Sequence, residues 1–310
     1  LICRATSPTG DNSNAAACQP LRGLPISVKP RIHVAGRRRY TLAMSSAVAP
    51  SLRVACVSFL NSKPLLYGLE ADASIRLLLD VPSRLIDLLH TDQADVALLP
   101  TIDYQRHEGL LVVPSGGIGC DGHTLTVRIF SKRPIEQTRI LACDSDSHTS
   151  VALARVILAE HYGIHPEFTD LSRSPGETRL LIGDKVVCEE PASFEHQLDL
   201  GAAWKEMTGQ PFVFAVWVAR EGVDLDDLPN RLELAKRQGL AHVEELVTRY
   251  AIPRGWPAEL ARQYMTDYLK YDIAEPQLKA IEHFHKLAAK HGLIPSPPRP
   301  LRVHAKIERF

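Results

Sequence analysis

The chain has 310 residues, 45% of them hydrophobic, and its 36 Lys and Arg are matched by 36 Asp and Glu. That is apolar material for one large or two medium domains. The even charge excludes the basic field that nonspecific nucleic-acid or membrane-surface binding needs, and no apolar run approaches the roughly 18–20 residues that cross a bilayer.

Residues 1–50 carry Arg4, Arg22, Lys29, Arg31, Arg37, Arg38 and Arg39 against the single acid Asp11, with scattered prolines and no sustained period of 3.6 or 2. Such composition predicts a disordered segment. It has no apolar h-region of a secretory signal; an organellar transit peptide fits its composition, but Met44 ahead of the first folded element favours an upstream, non-native extension.

From Leu52 onward, strands and helices alternate. Residues 53–58 read as a strand, 64–69 as a Pro-started helix, 75–79 as a strand, 82–90 as a helix and 96–99 as a strand, which is the pattern of an α/β sheet. The first joint puts Asn61 at the carboxyl end of a core strand, where open α/β sheets bind ligands; the alternative is that Asn61 caps the helix after it. Gly116, Gly117, Gly119 and Gly122 read as a turn before the alternating strand 125–130. They are no dinucleotide fingerprint, because no helix follows at the required spacing.

A second strand–helix set lies between that strand and the apolar strand 212–219: strand 139–143, helix 149–162, and strands 167–169 and 178–182. This interruption predicts a second lobe (135–212) inserted into a first (51–134 plus 213–310), with the two long strands as crossovers and a cleft between. From Asp224 the pattern is helical, with helices at 257–269 and 275–291 expected to pack on the first lobe.

Ser145, Ser147, Thr149 and Ser150 cluster where helix 149–162 begins, so one hydroxyl caps the helix while others face its positive end, a place suited to a carboxylate. Asp184 ends an apolar strand after Gly183 and either orients a ligand or another side chain or simply makes a turn. His148 reads as a general acid or base or as a solvated side chain. His283 and His285 look like surface positions of an amphipathic helix. The cysteines Cys3, Cys18, Cys56, Cys120, Cys143 and Cys188 show neither C-x-x-C nor zinc-ligand spacing; three of them in or beside strands read as reduced, apolar fillers, which favours a cytosolic protein over a disulfide-stapled secreted one.

Several stretches, taken together, resemble the chorismate dehydratase family: Ser58-Phe-Leu-Asn-Ser-Lys-Pro-Leu-Leu-Tyr-Gly-Leu69, Gly119-Cys-Asp-Gly122, Ser147-His-Thr-Ser-Val-Ala-Leu153, Leu181-Ile-Gly-Asp184, and residues 200–220 with Gly-Gln-Pro-Phe-Val-Phe-Ala-Val-Trp. The resemblance runs from about Leu52 to His291. It implies the two-lobed type II periplasmic-binding-protein fold and the removal of water from chorismate, without metal or organic cofactor, to give 3-[(1-carboxyvinyl)oxy]benzoate in the futalosine route to menaquinone. It carries Asn61 and Thr126 over as catalytic positions, and Ser58, Thr101, Ser147, His148, Thr149, Ser150 and Asp184 as substrate-binding positions. Two departures stand out: Thr126 replaces a serine common in relatives, and His148 replaces an arginine. The sister dihydroxynaphthoate synthase carries Ser-Pro-Asp-Thr where this chain has Ser58-Phe-Leu-Asn61, and the fold also serves solute-binding proteins, which are normally exported.

Overall fold

The computed structural model describes residues 52–173, 176–188 and 194–304. The expectation for residues 1–50, with Cys3 and Cys18, lies outside the described residues.

In chain order the elements are β1 (Leu52–Val57), β2 (Ile75–Asp80), α1 (Leu85–His90), β3 (Val96–Pro100), α2 (Thr101–Arg106), β4 (Leu110–Cys120), β5 (Val127–Ser131), β6 (Ile140–Cys143), α3 (His148–Glu160), β7 (Glu167–Asp170), β8 (Thr178–Ile182), α4 (Lys185–Cys188), β9 (His196–Asp199), α5 (Leu200–Thr208), β10 (Phe212–Arg220), α6 (Leu228–Ala241), α7 (Val243–Leu246), α8 (Ala258–Gln263), β11 (Leu269–Lys270) and α9 (Glu275–Lys290). They build two sheets, one ordered β11-β4-β10-β3-β1-β2 and the other β7-β6-β8-β5-β9. The second sheet is drawn entirely from the stretch between β4 and β10 of the first.

β1 pairs in parallel with β2 and β3, and β10 runs antiparallel to β3 and β4. β3 and β10 are near-continuous apolar runs, buried at every position but Arg220, as strands covered on both faces must be. β10 also meets α9 and α5 through an aromatic cluster: Phe212 and Phe284 lie 5.1 Å apart and Trp204 and Phe212 5.2 Å apart between ring centroids, contacts worth about 0.5–1.5 kcal/mol each beyond area burial. Trp204 and residues 212–219 are thus core.

The structure departs from the sequence reading at four places. Three of the four glycines expected to form a turn, Gly116, Gly117 and Gly119, lie inside β4, where missing side chains let β10 come close: a Cβ on Gly117 would stand 2.5 Å from the Ala215 carbonyl oxygen, while Gly122 bends just beyond the strand at φ 119°. The second departure is β5, assigned above to the first lobe, which hydrogen-bonds to β8 and β9 in the second sheet. The chain changes sheets earlier, at residues 124–126, where Leu125 takes φ 67°, uncommon for a residue with a Cβ. Asp199 holds that bend, accepting from the Thr124 and Leu125 amides at 2.8–3.2 Å while also capping α5 through the Gly201 and Ala202 amides.

Third, the expected helix at 64–69 is a tighter 3-10 turn, Leu60–Leu66, with Pro64 inside it; proline has no amide hydrogen to sustain an α-helical ladder there. α6 packs directly on this turn, Gly239 against the Pro64 backbone. Finally, His285 is 1% exposed rather than a surface residue. Its ring bonds the Gln105 amide and the Thr101 carbonyl at 2.9 Å each, and burial pushes its pKa down to about 4. Among the described residues no helix is long and apolar enough to cross a membrane.

Candidate active site

The carboxyl end of β1, the start of α3 and the bend before β5 border one cleft of about 490 Å³, part of it open to solvent. Asn61, Thr126, Ser147 and Ser150 all line it, with Phe59 and Phe214 among its apolar wall. Its lining has one titratable side chain, Tyr264.

Asn61 is held by its turn rather than capping it. The N-cap position belongs to Phe59, and Ser62 Oγ anchors the turn by donating to the Val57 carbonyl at 2.7 Å. The Asn61 Oδ1 is buried without a hydrogen-bond partner, a state that costs about 1–3 kcal/mol unless something supplies a donor. Its amide lies beside the Tyr264 hydroxyl. Tyr264 Oη in turn stands 2.6 Å from Thr126 Oγ1, and burial raises its pKa far enough that the phenol stays protonated at neutral pH. Two hydroxyls share one bond here, so one hydrogen remains for a ligand.

Across the cleft, Ser147 caps α3, its Oγ accepting from the Ser150 amide at 3.3 Å and lying 3.0 Å from Ser150 Oγ. These hydroxyls sit at the positive end of a 13-residue helix, where a carboxylate is stabilised.

The other sequence candidates lie outside this lining. Thr149 is fully buried, accepts the Ile102 amide at 3.2 Å and approaches Thr101 Oγ1 at 3.5 Å, while Thr101 donates to the Val213 carbonyl at 3.0 Å; the pair fastens α3 to α2 and β10. His148 turns to buried Asp103, with Nδ1 2.9 Å from both carboxylate oxygens, and borders a separate groove with Arg106 and Arg155. Ser58 enters through its backbone, its amide bonding the Asp80 carbonyl at 3.1 Å.

Asp184 orients protein rather than making a bare turn. It accepts the Leu60 amide at 3.3 Å and faces Arg254 at 3.6 Å, so it ties the end of β8 to the turn that carries Asn61. Burial raises its pKa above the usual carboxylate value despite those partners. Among the described residues no group of three His, Cys, Asp or Glu is placed to hold a metal ion.

Sequence reasoning missed Tyr264. It belongs to a π turn, Tyr264–Tyr268, that follows α8, and nothing in the local pattern separates it from other aromatic core positions of the helical region.

Comparison with known proteins adds to this picture. A chorismate dehydratase of Thermus thermophilus is 28% identical over 251 residues, covering 73% of this chain and 91% of that protein. Protein AF1704 of Archaeoglobus fulgidus superposes with a TM-score of 0.63 at 17% identity, over 78% of this chain and 98% of that one. The CA3427 gene product of Candida albicans, described as having the generic periplasmic-binding-protein fold, gives 0.52 at 14% identity, over 84% and 99%. At such identities these likenesses show the fold, which is the periplasmic-binding-protein-like one that the resemblance implied. A family model described as menaquinone biosynthesis matches residues 52–290. The chain belongs to that menaquinone-biosynthesis family.

Proposed function

We propose that the protein is a chorismate dehydratase, a carbon–oxygen lyase that turns chorismate into 3-[(1-carboxyvinyl)oxy]benzoate and water. The observation that carries this reading is the buried, unpartnered side-chain oxygen of Asn61, an acceptor open to a substrate hydroxyl, in a cleft whose other polar groups are neutral hydroxyls. Such a lining suits a reaction that needs a dianion held, desolvated and oriented more than it needs a strong protein base.

The Asn61 Nδ2 and the free hydroxyl hydrogen of the Tyr264–Thr126 pair would donate to the enolpyruvyl carboxylate, the Asn61 Oδ1 would accept from the substrate's C4 hydroxyl, and the α3 start with Ser147 and Ser150 would receive the ring carboxylate. The enolpyruvyl carboxylate takes the C3 proton. The C3–H electron pair becomes the new ring π bond as the C4–O bond breaks, and the departing hydroxide recovers that proton as water. Aromaticity supplies the driving force, and the neutral donors stabilise charge as it spreads over the ring carboxylate. Asp184 and Thr149 act behind the cleft, holding the two walls in place.

Incubating the purified protein with chorismate and weighing the products tests the reading. A product lighter by one water is expected. Unchanged chorismate bound to the protein would point to solute binding instead, and turnover of a cyclic futalosine derivative alone would point to the dihydroxynaphthoate synthase reaction.

A further inference from the structure

Beside the Leu60–Leu66 turn lies a second cavity of about 210 Å³, lined by Lys63, Tyr67, Glu70, Arg249 and Tyr250 with others. Lys63 is only 4% exposed. Three cations converge on one ring there: Lys63 Nζ, the Arg249 guanidinium and the Arg254 guanidinium stand 4.9, 5.0 and 5.6 Å from the centroid of Tyr250.

Two of the three are matched. Arg249 pairs with Glu70 at 3.0 Å and Arg254 with Asp184 at 3.6 Å. Glu70 also receives the Tyr250 hydroxyl at 2.9 Å, and exposed Glu245 receives that of Tyr67 at 2.8 Å. Lys63 alone has a ring face and no carboxylate within ion-pair distance among the described residues. Lysine is almost never this buried unless paired. Burial and the nearby Arg254 hold its pKa below the ordinary lysine value.

We propose that this cavity is a small-oxyanion site in which a carboxylate or phosphate bearing one negative charge bonds the Lys63 ammonium and the Arg249 guanidinium between the rings of Tyr67 and Tyr250. Glu70 and Glu245 on the same lining restrict it to one negative charge, since a second would face their carboxylates. The site is separate from the catalytic cleft but not independent of it, because Lys63 and Asn61 share one turn. An occupied site steadies the turn that aims Asn61.

The test is a calorimetric titration of the full chain with inorganic phosphate and, separately, with acetate, ionic strength being held constant with chloride. The wild type is expected to bind at least one of them saturably at one site, and the arm that binds more tightly identifies the oxyanion. Lys63→Met and Arg249→Ala should each weaken binding by about tenfold or more; Arg249 is 58% exposed in its side chain, so that variant keeps the fold. Lys63→Met should also melt higher than wild type without anion, since it removes an unpaired buried charge, and should lose the wild type's rise in Tm on adding phosphate. Absence of saturable binding of either anion to the wild type, or affinities unchanged in both variants, would overturn the proposal. Each readout is binding or melting, so failure here leaves the dehydratase reading standing, and the reverse holds too.

Discussion

On one wall of the cleft the Asn61 carbonyl oxygen is buried with no partner, and Tyr264 and Thr126 share a single bond between two hydroxyls. On the facing wall the Ser147 and Ser150 hydroxyls also share one bond, and Ser147 caps α3 by accepting the Ser150 amide. Both walls are polar and both are buried, yet only the first holds a buried oxygen with no hydrogen-bond partner. An unmet bond is tolerated where a ligand completes it, whereas a closed set of bonds holds shape. In the proposed dehydratase the first wall would read the ligand, and the second presents a preformed positive helix end.

If that division is right, substitutions on the two walls should fail differently. Asn61→Ala is expected to lower kcat for chorismate by about 10²-fold, the size typical of losing one preorganised donor, with circular dichroism and Tm near wild type because the side chain closes no internal bond through Oδ1; a larger fall in Tm than in rate would break the comparison. Tyr264→Phe removes one hydroxyl from a shared pair and keeps the ring packed against Trp256 at 4.9 Å, so roughly a tenfold fall in kcat is expected, measured beside Thr126→Val to see whether the two losses overlap as one unit. The smallest effect on rate belongs to Ser147→Ala: denaturant unfolding should show about 1 kcal/mol less stability from the lost cap, while kcat moves less than in either change across the cleft.

What the sequence made legible was local. The joint at β1 shows because an apolar run stops at an amide, and the start of α3 shows because hydroxyls precede a helical apolar stripe; both stand on the cleft. The periplasmic-binding-protein-like fold was legible from motifs in family order. What stayed hidden depends on contacts distant along the chain. Tyr264 meets Thr126 across 138 positions, and Asp184 meets Leu60 across 124, so no period or cap signals either. Asp184 behaves as a clamp on the Asn61 turn, a role its strand-end position allows but does not single out. His148 sits one residue from a lining serine, yet helical geometry turns it to Asp103, since neighbours in a helix project about 100° apart. The glycines of β4 read as a turn because glycine marks turns in isolation, and only the neighbouring β10 backbone explains their place in a strand.

The central claim is that neutral groups hold the substrate while its own carboxylate moves the proton. The lining contains no carboxylate, imidazole, amine or thiol, and its one phenol is held protonated by burial. The pH dependence of kcat for chorismate from about pH 6 to about pH 9 tests this most directly. A flat profile is the result this account predicts; an inflection within that range that tracks kcat, as a protein histidine acting as base would give, would contradict it.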